Sequence, residues 1–288
     1  MRSTRRRLGL LCTVAASVVV AGCTSLTLAI ANIPATFGDY SVERNIQYAA
    51  GVARRLDVYT PTAAGGARPV VVFFHGGGWD SGSKAQYRFV AEALSTRGYV
   101  VVLPEYRRYP QVRFPGFVED AAQAVAWTRT HAAEFGGDPA RLFLMGHSAG
   151  AHIAAMLNFD ERFLRAAGVD PHSIKGFIGL AGPYDFLPLN TRTLEAIFAP
   201  TERYADSQPI NFVDGGESPS LVLHGLADST VWPRNSQRLA AKIRERGGRV
   251  AEHYYEGVSH GGILAGLSVY YRDRRTVLEE IGKFVDSP

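Results

Sequence analysis

From position 42 onward the chain alternates between short runs of β-branched and aromatic residues and longer segments whose apolar positions recur every three or four residues. The runs at 55–59, 69–74 (PVVVFF), 99–103 (YVVVL), 142–145, 176–180 (GFIGL), 220–223 and 250–255 predict strands. Most are near-continuously apolar, as strands covered on both faces must be. Between them, the sets Tyr87, Val90, Ala91, Leu94 and Val118, Ala121, Ala122, Val125 predict helices, as do Leu239, Ala240, Ile243 and Val277, Leu278, Ile281, Phe284, Val285. Glycines at 98, 136–137 and 247–248 follow the helical patterns, where a left-handed residue ends a helix. This alternation predicts an α/β fold, a mostly parallel sheet with helices on both faces. Residues 184–219 interrupt it with a long excursion that carries one helical pattern at 193–198. An excursion from the C-terminal edge of a parallel sheet is expected to form a short lid insertion. No repeat or low-complexity linker divides the rest, so 41–288 is expected to be one domain.

With 46% hydrophobic and 20% charged residues the composition is that of a globular protein. A formal net charge of +4 could point to a polyanionic partner, but Arg2, Arg5, Arg6 and Arg7 all precede position 23, where there is no acidic residue. The remainder is balanced, and no nucleic-acid partner is expected.

Those arginines open a leader. They precede an apolar stretch at 8–21 and a small-residue site, Val20-Ala21-Gly22-Cys23. Fourteen residues at about 1.5 Å each fall short of the roughly 30 Å of a membrane's hydrocarbon core, so residues 1–22 fit a cleaved signal peptide better than a spanning helix. With Cys23 at the cut, the segment resembles a bacterial lipoprotein signal, which implies lipidation of Cys23, a tether over 23–40 and anchoring to a membrane of the cell envelope. An ordinary secretory signal is the alternative; under either reading the protein is exported. The other cysteine, Cys12, lies within the apolar stretch, so no disulfide is expected.

The sharpest chemical feature is Gly146-His147-Ser148-Ala149-Gly150, directly after the run at 142–145 and before the small-residue helical run 151–157. A G-x-S-x-G between strand and helix puts the serine on a sharp turn with its hydroxyl exposed. A hydroxyl is a weak nucleophile unless a base takes its proton and a carboxylate orients that base. Both follow: Asp228 in HGLAD, after the run at 220–223, and His260 in SHGG, after the run at 250–255. Asp185, after the preceding strand, and Glu256, close to His260 in sequence, are rival acids; Asp228 is preferred. Upstream, His75-Gly76-Gly77-Gly78-Trp79 ends the run at 69–74. Glycine amides at a strand end suit the developing oxyanion of an attacked carbonyl, so Gly77, Gly78 and Ala149 are assigned to an oxyanion hole. His75 is expected to brace this loop, and Trp79 is the aromatic expected to bind substrate. His147, His152 and His224 are expected to be packed or turn residues.

Together, HGGGW, the segment Glu105 to Pro110 (EYRRYP), GGDPARLFLMGHSAGAHIAA, HGLAD and SHGG carry a resemblance over residues 55–286 to carboxylesterases of the α/β-hydrolase superfamily, in the branch with feruloyl-esterase-like and isoprenylcysteine-methylesterase-like members. The resemblance implies the α/β-hydrolase fold with an eight-stranded sheet, a Ser148-Asp228-His260 triad and ester hydrolysis; the expected reaction is hydrolysis of small to medium carboxylic esters through an acyl-enzyme. It departs from the hormone-sensitive-lipase-like branch, which has G-D-S-A-G where this chain has His147. No zinc-ligand spacing and no phosphate-loop lysine accompany these motifs, so neither metal nor cofactor is expected. The same parts would serve an acyltransferase or an amidase, and a non-catalytic lipid-anchored envelope binding protein is the reading from another class. Oligomeric state is not legible.

Overall fold

Except at the edge run 250–255, each apolar run forms a strand whose alternate side chains enter two different cores. The computed structural model describes residues 28–274 and 276–287. Its strands are β1 (Tyr40–Gln47), β2 (Arg55–Pro61), β3 (Arg68–Phe74), β4 (Val100–Pro104), β5 (Gly137–His147), β6 (Ile174–Leu180), β7 (Ser220–Gly225) and β8 (Val250–Tyr255). They form one sheet in the order β1-β2-β4-β3-β5-β6-β7-β8. β2 pairs antiparallel with both β1 and β4, and every pair from β4 to β8 is parallel. The helices are α1 (Arg88–Thr96), α2 (Gly116–His131), α3 (Ala149–Phe159), α4 (Glu161–Ala166), α5 (Arg192–Phe198), α6 (Arg234–Glu245), α7 (Gly262–Ala265) and α8 (Val277–Asp286).

Along β3, Val70, Val72 and Phe74 join one core with Phe117 of α2, Ile153 of α3 and Leu239 of α6. Val71 and Phe73 join the other, with Leu94 of α1, Ile263 of α7 and Ile281 of α8. Leu142 and Leu144 against Phe143 and Met145 divide β5 the same way. A two-residue period with no polar position is the signature of a sheet dry on both sides.

β1 has no counterpart among the predicted runs. Its sequence, YSVERNIQ, alternates between exposed and half-buried residues at the sheet edge, so its apolar content is too low to read as a strand. The expected tether also needs correction where it is described. Residues 28–31 are helical, and Leu28 and Ala31 pack against the α1–α8 core. Asn32 accepts a bond from Phe89 N at 2.9 Å and donates to Gln86 O at 3.0 Å and Ala85 O at 3.2 Å, tying this segment to the start of α1. The signal-peptide residues 1–22 and Cys23 lie outside the described residues.

Parallel register brings the chemical motifs to one edge. Phe74 pairs with Gly146, and Gly225 with Tyr255, so the loops after β3, β5, β7 and β8 emerge together at the strand C-termini. The insertion between β6 and β7 carries α5 and 3₁₀ turns at Thr201–Ser207 and Pro209–Phe212, and its Ile197 and Phe198 are fully buried in the α2–α3 core.

Candidate active site

Ser148 occupies the turn between β5 and α3 with φ 56° and ψ −123°. A non-glycine residue there stores strain of order 1–3 kcal/mol, which the surroundings must over-determine. They do so sterically. A Cβ on Gly150 would lie 2.0 Å from the carbonyl oxygen of Phe74, and one on Gly146 would lie 2.2 Å from that of Gly150. Only glycines let α3 start this close to β3. The Ser148 N–H is spent on Leu180 O at 2.9 Å, fixing the turn to β6, while the residue stays part-exposed.

The two residues assigned from later strands converge on it. His260 Nε2 lies 2.9 Å from Ser148 Oγ, and His260 Nδ1 lies 2.7 Å from Asp228 Oδ2. With an acceptor-only carboxylate at Nδ1, the neutral ring carries its proton there and leaves Nε2 to accept from the hydroxyl. Asp228 Oδ1 accepts Thr230 N at 2.8 Å and Val231 N at 2.9 Å, and Oδ2 is also 3.1 Å from His224 Nε2. Burial pushes this carboxyl up, but bonds from His224, His260 and the Val231 amide outweigh it and hold Asp228 far below the usual carboxylate range. The rivals fall away: Asp185 is paired with Arg238 at 2.7 Å, and Glu256 is exposed while His260 Nδ1 is taken by Asp228.

Beside the elbow, Gly77 has φ +131° and Gly78 φ +60°. A side chain on Gly77 would collide with Ser81 O, 2.2 Å from its Cβ, because the Gly77 carbonyl turns away to accept Ser81 N at 2.9 Å and Ser81 Oγ at 2.7 Å. Among the described residues the N–H groups of Gly77, Gly78 and Ala149 have no acceptor. The loop is braced as expected of His75, which bonds Gly76 O at 2.8 Å and Glu105 Oε1 at 3.2 Å and stacks on Tyr106 at 4.3 Å between centroids. Glu105 also accepts Lys84 N at 3.2 Å, and Tyr106 donates to His75 O at 2.7 Å. The EYRRYP segment therefore supplies the support for HGGG, a role its spacing does not disclose.

The BD-FAE family model matches residues 56–243, which include the HGGG loop, Ser148 and Asp228 and stop short of His260. The chain belongs to the BD-FAE family. A "probable isoprenylcysteine alpha-carbonyl methylesterase" of Arabidopsis thaliana is 31% identical over 279 residues, covering 85% of this chain and 58% of the relative. A "probable carboxylic ester hydrolase" of Mycobacterium tuberculosis is 28% identical over 229 residues, 73% of this chain and 53% of its own. The chain thus spans little more than half the length of these curated relatives. Among solved structures, the propionate-bound esterase 2 of Thermogutta terrifontis matches with a TM-score of 0.68 and 29% identity, over 86% of this chain and 93% of that one. The same esterase has also been captured phosphonylated by sarin.

Two histidines and a tryptophan complete the site of this BD-FAE chain. His147 is buried beneath His260, the two rings 4.8 Å apart, with Nε2 3.1 Å from the His260 carbonyl oxygen. Desolvation, aided by the neighbouring His260, pushes its pKa down to about 3, so the ring is neutral and donates that bond. His152 is likewise buried, with its pKa lowered by burial to about 4, and it bonds Ser207 O of the insertion at 2.7 Å. Trp79 departs from expectation. It is only 5% exposed, its Nε1–H is donated to His152 at 3.2 Å, and its indole packs on Phe186 and Phe198 of the insertion. With φ +63° the backbone turns this side chain inward, where it offers a ligand little surface. It anchors the insertion to the HGGG loop.

Proposed function

We propose that this BD-FAE protein is a serine carboxylic ester hydrolase in which Ser148 is the nucleophile, His260 the general base and Asp228 its orienting acid. The observation that carries the reading is the unbroken chain from Ser148 Oγ to His260 to Asp228 at 2.9 and 2.7 Å, on a strained, sterically enforced turn. Ser148 Oγ attacks the ester carbonyl carbon as its proton passes to His260 Nε2; Asp228 stays ionised and stabilises the imidazolium. The carbonyl oxygen becomes an oxyanion beside the free amides of Gly77, Gly78 and Ala149, donors of a kind worth roughly 3–4 kcal/mol each to the transition state. His260 then protonates the departing alcohol. Water, deprotonated by the same nitrogen, releases the acid from the acyl-enzyme and restores Ser148. The esterases among the relatives and solved neighbours support the same class; small to medium esters are the substrates this reading assigns.

A fluorophosphonate probe and a p-nitrophenyl ester series test this together. The protein is expected to hydrolyse the esters and to take the label, and Ser148→Ala to do neither; a folded wild-type protein that resists the label sinks the reading. The leader supports a second part of the proposal, export and anchoring through a lipid on Cys23. Palmitate labelling and membrane fractionation are expected to be lost in Cys23→Ala, and a wild-type protein free in the soluble fraction removes the anchor.

A further inference from the structure

Orienting His260 needs one acceptor oxygen, yet the Asp228 carboxylate is held by four donors. Its Oδ1 takes two backbone amides, and its Oδ2 takes His260 and a second histidine. That histidine, His224, lies near the end of β7 and is fully buried. Its Nε2 is 3.1 Å from Asp228 Oδ2 and 2.9 Å from Val231 O, two groups that only accept, so Nε2 carries a proton. Its Nδ1 is 2.6 Å from Ser236 Oγ on α6, whose hydroxyl donates and so fixes that tautomer in the neutral ring. The last torsion of an aspartate is broad and roughly two-fold, so a carboxylate bonded on one oxygen alone would swing. Two amides on one oxygen and an imidazole on the other remove that freedom.

We propose that His224, locked by Ser236 as a donor from Nε2, is a positioning residue that pins Oδ2 of Asp228 where His260 needs it. The inference rests on the triad reading above. It goes beyond it by assigning work to a residue that never meets substrate, and by explaining two polar nitrogens in a dry core where an apolar ring of the same shape would fill the space without desolvating anything.

The test is a double-mutant cycle on p-nitrophenyl acetate, with folding checked by circular dichroism. His224→Phe is expected to lower kcat by on the order of 10²-fold while KM stays put, since small misplacements far from the reacting atoms cost about that much. His224→Gln, which keeps a donor and an acceptor, is expected to recover most of the loss. In the Asp228→Asn background His224→Phe is expected to cost nothing more, because its effect runs through the carboxylate. An undiminished kcat in His224→Phe, or a full multiplicative loss on top of Asp228→Asn, overturns the inference and leaves the triad standing. An undiminished kcat in Asp228→Asn overturns the triad and this inference together. Should His224→Phe fail to fold, Ser236→Ala decides: it keeps the imidazole but frees Nδ1, and an unchanged kcat there overturns the proposal.

Discussion

The two sides of the sheet edge that carries Ser148, Asp228 and His260 are held by different forces. On the β3–β5 side the geometry is steric: Ser148 sits in a strained conformation on a turn so close-packed that neither Gly146 nor Gly150 has room for a Cβ. On the β7–β8 side it is made of hydrogen bonds, with Asp228 receiving two imidazoles and two amides inside the protein. Steric contacts tolerate no added atom, whereas hydrogen-bonded ones tolerate a change of size and not a change of donor. Substitutions should therefore fail in opposite ways on the two sides.

The largest effect is expected on the hydrogen-bonded side. Asp228→Asn keeps the volume but presents an amide that can favour the wrong His260 tautomer, and kcat for p-nitrophenyl esters should fall by roughly 10⁴-fold with the fold intact. Loss of thermal stability in parallel with rate would show that the carboxylate holds up the fold more than the base. On the steric side the order reverses. Gly150→Ala adds one methyl 2.0 Å from Phe74 O and 2.5 Å from His75 O, both backbone atoms that cannot step aside. It should cost more than about 4 kcal/mol in urea unfolding, an exceptional value for so small a change. A Gly150→Ala protein with wild-type stability and reduced kcat would mean that the elbow is looser than its contacts imply.

Acid should separate the two sides further. His147 and His152 are neutral in the fold, with pKa values pushed from 6.5 down to about 3 and about 4 by burial, while the unfolded chain protonates them near 6.5. The unfolded state thus binds more protons below 6.5, and each histidine removes about 1.4 kcal/mol of stability per pH unit as pH falls toward its folded value. Asp228, depressed below its ordinary 3.8, contributes stability that is present above that value and is lost only as pH falls beneath it. Stability should therefore decline from about pH 6.5, before Asp228 is involved, and urea midpoints unchanged between pH 7 and 5 would contradict this.

The same contrast explains what could be read from the chain. Seven strands were legible because runs such as PVVVFF have no polar face, and the convergence of Ser148, Asp228 and His260 was legible because the elbow's glycines are obligatory at fixed spacing and parallel register delivers Asp228 and His260 to the same edge. β1 was not, being an edge strand with five of its eight residues exposed. Nor was the packing of residues 28–40, which depends on Asn32 meeting the start of α1, a contact more than 50 positions away. Trp79 was assigned to substrate because an aromatic next to HGGG belongs near the site, but a positive φ sends its ring into the core, and no spacing rule reports that. His224 was read as a packed residue, which it is; its bond to Asp228 depends on the turn that brings position 228 back onto position 224.

The smallest expected effect separates the two aspartates that compete for the role of acid. Asp185 follows β6 as Asp228 follows β7, and by chain position alone either could orient a histidine. Its carboxylate instead meets the Arg238 guanidinium at 2.7 Å, with side chains 27% and 56% exposed, so solvent screens the pair. An exposed ion pair of this kind is worth at most about 1 kcal/mol. Asp185→Asn should accordingly leave kcat and KM unchanged and lower stability by less than that, while the isosteric change at Asp228 removes nearly all activity. If the two substitutions cost comparable rate, the insertion that begins beside Asp185 takes part in the chemistry, and the hydrogen-bonded side of the edge extends from β7 and β8 to β6.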